Sequence, residues 1–355
     1  MAAGRPYQRP DLSYDPAMSE SKAVIFGCSG LQLTADERAF YADERPWGFI
    51  LFGRNVSERA QIADLTAALR EAVGRPDAPV LIDQEGGRVQ RLRPPLAPNY
   101  PWGGDLGDLY AADPERGLRA AWLMSRLHAF DLLPLGINVD CLPVLDLPVP
   151  GAHDVIGRRA YSSDPDVSAA VGGAAAEGLK AGGMMPVMKH IPGHGRADVD
   201  THHQLPVVAA SREELSARDF RPFKALADEK MAMSAHVVFA AIDPNNPATT
   251  SPRVVSEVIR GEIGFDGLLM SDDVSMQALS GDFATRARAI FGAGCDVTLH
   301  CNGDAAEMRA VASVTPVLAG DALRRANAVI AAFREPDGSD EAALRDEFER
   351  LMAVS

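Results

Sequence analysis

Short apolar runs recur along this chain, each closing on a polar residue or a glycine turn, at residues 23–27, 48–52, 79–83, 137–140, 184–190, 231–236, 267–272 and 296–300. A short continuous apolar run is the pattern of a strand buried on both faces, as in a parallel sheet covered by helices. The stretches between the runs carry helix-start signals. Ser163-Asp164-Pro165 precedes Val167, Ala170, Val171 and Ala174, and Ser251-Pro252 precedes Val255, Val258, Ile259 and Ile263. Eight strand–helix alternations predict an α/β chain folded as a closed (β/α)8 TIM-like barrel. An open doubly wound sheet is the alternative. Gly27-Cys28-Ser29-Gly30 after the first run does not fit GxGxxG, so a dinucleotide site has little support.

After the eighth run the apolar spacing of Leu323, Ala326, Val329, Ile330 and Phe333, and then of Leu344, Phe348 and Leu351, predicts closing helices. Two connections, 84–135 and 191–230, exceed the usual short loops and are expected to carry function or extra helices. Residues 1–21 hold Arg5, Arg9, Asp11, Asp15 and three prolines and lack the apolar core of a secretory signal. They read as a flexible lead-in to one domain over 22–355. Composition then narrows the partners. A formal net charge of −14 disfavours nucleic acid, whose phosphates need clustered Lys and Arg. The absence of a long apolar stretch predicts no membrane span. Cys28, Cys141, Cys295 and Cys301 show no CxxC spacing and are expected as reduced, buried thiols of a cytoplasmic protein, read as a monomer.

The polar ends of the runs carry the candidate chemistry. Asp83, Asp140, Lys189 with His190, His236, Asp272 and His300 all fall at the carboxyl ends of predicted parallel strands, where barrels build their sites. For His236 and His300 a ligand contact and a satisfied core role are both open. Asp272, on a rigid strand, suits a nucleophile or an electrostatic partner for a developing cation. Asp273 is expected to cap a following helix. The segment 189–203, Lys-His-Ile-Pro-Gly-His-Gly-Arg-Ala-Asp-Val-Asp-Thr-His-His, places Asp200 two residues from His202 in a glycine-broken loop. That spacing lets a carboxylate orient an imidazole that works as general acid and then general base. Residues 83–91, Asp-Gln-Glu-Gly-Gly-Arg-Val-Gln-Arg, with Arg158-Arg159 and Lys189, suit recognition of hydroxyl groups. Arg88 and Arg158 are equally readable as surface ion pairs.

Lys189-His190-Ile191-Pro192-Gly193-His194-Gly195 followed by Asp200-Thr201-His202 resembles the signature of bacterial β-N-acetylhexosaminidases of glycoside hydrolase family three. Residues 83–91, Ile156-Gly157-Arg158-Arg159-Ala160-Tyr161 and Ser271-Asp272-Asp273 are similar to that family's other blocks, in the same order. The resemblance implies a TIM-like barrel and a retaining mechanism without cofactor or metal. It implies Asp272 as nucleophile, His202 as acid/base and Asp200 as its orienting partner. Asp83, Arg91, Arg159, Lys189 and His190 would bind a non-reducing N-acetylglucosamine on small peptidoglycan-recycling fragments. The adjacent His203 offers a second register for the acid/base. Three other readings compete: a metal-dependent barrel hydrolase with His190, His194 and His202 on zinc, a non-catalytic sugar-binding protein, and, within the family, another β-glycosidase or a phosphorylase.

Overall fold

The computed structural model describes residues 20–197, 199 and 205–353. The runs fold as strands β1 (Lys22–Phe26), β2 (Pro46–Leu51), β3 (Val80–Ile82), β4 (Val139–Asp140), β5 (Met185–Pro186), β6 (Met188–Ile191), β7 (Met231–Ser234), β8 (Leu268–Asp273) and β9 (Val297–His300). All pair in parallel, from β5 through β4, β3, β2, β1, β9, β8 and β7 to β6. β5 and β6 are consecutive pieces of one run, with Val187 between them donating its N–H to Asp140 O at 3.1 Å. The ring therefore closes through the chain itself, and eight runs make one barrel, as the alternation predicts.

Two apolar layers follow from the strand alternation. Ala23 and Ile25 join Trp47, Ile50, Leu81, Val139, Met185, Met231, Leu268, Met270 and Val297 in the barrel interior, whereas Val24 and Phe26 pack outward under the helices. The interior is stoppered at the amino ends of the strands by helix α10 (Gly320–Ala332), through Ala326, Val329 and Ile330, with Leu318 ahead of it. Leu318 N–H bonds Ser21 O at 2.8 Å, which ties the stopper to the start of β1. The last helix, α11 (Glu341–Ala353), buries Leu344 and Phe348 and is anchored by Arg119–Glu347 and Arg345–Asp131 ion pairs.

The helix signals also hold. Asp164 caps α5 (Pro165–Ala181) through Asp166 N–H at 2.8 Å, with Pro165 at the first helical position. Ser251 accepts from Val254 N–H ahead of Val254–Glu262, although this segment is a π-helix. The first long connection contains a small hairpin, Gln84–Gly86 with Val89–Gln90, and helices α3 (Gly103–Ala112) and α4 (Pro114–Leu132). The second contains the strand Val207–Val208, paired with Val238–Phe239, and two short helices. Residues 1–21, expected as a flexible lead-in, fall almost wholly outside the described residues. None of the described helices is long and apolar enough to cross a membrane.

Candidate active site

A cavity of about 280 Å³ opens at the carboxyl ends of the strands. Asp83, Arg91, Arg159, Lys189, His190, His194, Asp272 and Asp273 supply its polar wall, and Phe52, Ile156, Met233, Met276 and Leu299 are among its apolar lining. The polar groups arrive from several elements: Asp83 after β3, Lys189 and His190 within β6, Asp272 and Asp273 at the end of β8.

One side of the cavity is a continuous ion-pair chain. Arg91 meets Asp83 at 2.9 Å, and Lys189 bridges Asp83 at 2.8 Å and Glu85 at 2.7 Å. Arg159 grips Glu85 with two parallel bonds of 2.8 Å. Three cations against two carboxylates leave this chain at +1. Burial pushes both carboxyl pKa values up, but Lys189 and Arg91 at Asp83, and Arg159 and Lys189 at Glu85, more than reverse it. Glu85 is held at about 2 and Asp83 lower still. The same partners hold Lys189 and Arg159 firmly charged against the opposing effect of burial. The hydrogen-bonding faces are thus fixed before any ligand enters.

In the same cavity wall, Asp272 accepts Asp273 N–H at 2.8 Å. Burial would raise its pKa, yet His236 and His190 outweigh that and the carboxyl lies below its usual range, so it is ionised at neutral pH. Asp273 is spent locally: Oδ1 accepts from Ser275 N–H at 3.0 Å and Cys301 N–H at 3.1 Å, and Oδ2 takes the Ser275 hydroxyl. The expected helix after Asp273 does not form, because 274–282 run as turns and the next helix, α8 (Phe283–Ala293), is capped by Asp282. Asp273 caps this turn instead.

His190 lies on the fully buried Asp146, Nδ1 to Oδ2 at 2.7 Å. His194 also faces the cavity. Burial is the main reason its pKa falls to about 4, with His190 adding to the effect.

Three of the polar strand ends do not reach the cavity. Asp140 is fully buried, accepting Gln84 N–H at 3.0 Å and facing His128. His236 bonds Thr249 and the Asp273 carbonyl, and His300 bonds Glu307 at 3.0 Å between Phe26 and Phe283. All three are buried in the core. Arg88 pairs with Asp154, and Arg158 with Asp105 and Asp108, as exposed surface pairs. Asp200 and His202, and with them His203, lie outside the described residues. Of the three proposed zinc ligands, His190 and His194 have ring centroids 5.6 Å apart, and the third, His202, is outside the description. Among the described residues no group of three or more His, Cys, Asp or Glu is arranged to hold a metal.

Glu85 and Asp146 were not singled out by sequence reasoning. Glu85 stands inside the quoted 83–91 segment but is only shown to be structural by its two cationic partners. Asp146 has a signal in hindsight: an acid within the apolar stretch 143–148 has to find partners once buried.

Residues 23–327 match the model of the glycosyl hydrolase family 3 N-terminal domain. A β-hexosaminidase of Stenotrophomonas maltophilia is 40% identical over 289 residues, covering 79% of this chain and 83% of that protein. A β-hexosaminidase of Bordetella avium is 36% identical over 331 residues, covering 92% and 93%. Among solved structures, NagZ from Neisseria gonorrhoeae in complex with N-trifluoroacetyl-D-glucosamine superposes with a TM-score of 0.81 at 31% identity, covering 94% of this chain and 97% of that one. With the barrel, the strand-end carboxylate and these matches together, the chain belongs to glycoside hydrolase family 3.

Proposed function

We propose that this protein is a retaining exo-β-N-acetylglucosaminidase. It removes the non-reducing N-acetylglucosamine from peptidoglycan-derived fragments, N-acetylglucosaminyl-1,6-anhydro-N-acetylmuramic acid with or without peptide. Asp272 attacks the anomeric carbon and expels the leaving oxygen, which takes a proton from His202, held by Asp200. Water, deprotonated by the same imidazole, then releases the sugar from Asp272.

The observation that carries this reading is the Asp272 carboxylate in the wall of a cavity that is also lined by a preformed +1 chain of hydrogen-bonding groups. A nucleophile must be deprotonated, and a pyranose needs donors and acceptors fixed around its hydroxyls. Asp83, Arg91, Arg159, Lys189 and His190 serve that second need. The cavity, about 280 Å³, is just below the ~300 Å³ at which drug-sized sites begin, which suits one terminal sugar ring and an exo mode of action. The relatives named β-hexosaminidase and the neighbour holding an N-acylated glucosamine favour an amino-sugar substrate. Four buried free thiols support a reducing, cytoplasmic setting, with the protein acting as a monomer in peptidoglycan recycling.

The test is a panel of aryl glycosides, N-acetylglucosaminide, glucoside and N-acetylgalactosaminide, assayed with and without phosphate. Preferential hydrolysis of the N-acetylglucosaminide supports the reading. A sugar-1-phosphate product in the phosphate arm makes the protein a phosphorylase, and loss of turnover on chelation, restored by zinc, favours the His190, His194, His202 metal site. His202→Ala should lose kcat/KM strongly on a disaccharide and little on a dinitrophenyl glycoside, since only the alkoxide needs a proton. Equal losses would make His202 a binding residue, and a leaving-group-dependent loss for His203→Ala would move the role one residue along.

A further inference from the structure

Asp146 has no contact with the cavity, yet its carboxylate receives three donors from the residues that line it. Oδ1 accepts the backbone N–H of His190 at 3.2 Å and of His194 at 2.7 Å, and Oδ2 meets His190 Nδ1 at 2.7 Å. The chain is built to place it there. Segment 143–145 runs alongside β6, with Lys189 N–H on Pro143 O at 2.9 Å and Leu145 N–H on Lys189 O at 2.8 Å. Asp146 is thereby delivered next to His190 and is fully buried, so no water competes for its oxygens.

We infer that Asp146 is a positioning residue of this site: its carboxylate holds His190 in the Nδ1–H form, presents Nε2 to the cavity, and fixes the backbone from His190 to His194. An ionised carboxylate only accepts hydrogen bonds, so the ring must donate through Nδ1. The opposite ring edge then offers a lone pair that accepts a hydrogen bond from a sugar hydroxyl. Burial alone would raise the Asp146 pKa, but His190, His194 and the amide donors bring it below the usual range, consistent with an acceptor-only group.

Asp146→Asn reverses the polarity of this arrangement. The amide oxygen still accepts the two backbone N–H groups, while its NH2 faces Nδ1 and forces the proton onto Nε2, against the sugar. Nitrogen-15 shifts of the His190 ring in the wild-type protein should show Nδ1 protonated, and in Asp146→Asn the proton on Nε2. Asp146→Asn, with a cooperative melt, should lose roughly 10²-fold in kcat/KM on an aryl N-acetylglucosaminide. The double variant Asp146→Asn/His190→Ala should be no worse than His190→Ala, because the effect runs through the ring. An Nε2–H tautomer in the wild type, unchanged kcat/KM in Asp146→Asn, or additive losses in the double variant would overturn the inference. Should Asp146→Asn fail to melt cooperatively, the wild-type tautomer decides. The kinetic arm rests on the glycosidase reading above. A wild-type protein that does not turn over the glycoside defeats that reading, while the ring spectrum still tests Asp146.

Discussion

At the scale of single residues, what separates Asp272 from its neighbour is the company each carboxylate keeps. Asp273 is committed to Ser275 and Cys301, and Asp272 is left facing the cavity with a single donor described, the Asp273 N–H. Adjacent acids in a sequence look alike, so this distinction becomes physical only in the fold. Asp83, Arg91, Arg159, Lys189, His190 and Asp272 were legible because each stands at or beside a strand end or in a loop rich in chemistry. Glu85 and Asp146 were less so, since their partners, Arg159 and Lys189 for one and His190 for the other, lie far away in the sequence. His236, His300 and Asp140 show the converse: a strand end also supplies groups that stay buried in the core. His194 yields a pH prediction. Its pKa falls from 6.5 to about 4 on folding, so between these values the unfolded chain holds a proton that the native state does not. Stability therefore falls as pH drops from 6.5 to about 4, by about 3.5 kcal/mol at most for this group at ~1.4 kcal/mol per pH unit, and no further below that. Thermal or urea unfolding across pH 4 to 7 should show His194→Gln with a flatter decline than the wild type; identical slopes would mean that His194 is not buried neutral. Glu85, held at about 2, acts in the same direction at lower pH, its contribution being complete above its unfolded value of 4.5 and lost as pH falls through about 2.

The secondary-structure elements were read well where a periodic pattern met a cap. α5 begins where Asp164-Pro165 predicts, and the closing helices bury Ala326, Val329 and Ile330, and Leu344 and Phe348, from the predicted apolar sets. Two features escaped the pattern. The run 184–190 is one apolar stretch, but the barrel uses its two halves against different neighbours, β4 on one side and β7 on the other. The Val254–Glu262 helix is wound as a π-helix, and apolar spacing does not distinguish that winding from an α-helix over so short a span. Packing between α4 and α5 is close because Gly178 lets the α5 backbone approach α4: a Cβ there would meet Trp122 O at 2.2 Å and Ser125 Cβ at 3.1 Å. Gly178→Ala should therefore destabilise the fold by about 1–3 kcal/mol despite the better helix propensity of alanine. Chemical denaturation checks this, and a stabilised variant would show that α4 yields freely.

The whole molecule divides its work between the two ends of the barrel. The carboxyl ends of the strands carry the cavity, and the amino ends are stoppered by Leu318, Ala326, Val329 and Ile330. Truncating the stopper with Ile330→Ala should cost about 2–5 kcal/mol of stability and leave kcat on the aryl N-acetylglucosaminide unchanged at temperatures where the variant is folded. A matching loss of kcat would show that the two ends are coupled. The closed barrel was legible from eight alternations of run and helix; the division of its ends became visible only when α10 was seen to turn back beneath β1. The central claim is that a family 3 barrel uses Asp272 as a covalent nucleophile on N-acetylglucosamine, and trapping tests it most directly. A fluorinated N-acetylglucosaminyl fluoride, with a leaving group good enough for the first step and a ring fluorine that slows the second, should inactivate the enzyme with time and add one sugar per chain. Peptide mapping by mass spectrometry should then place that sugar on Asp272. A label on Asp273 or elsewhere, or steady turnover of the reagent with no adduct, would contradict the account.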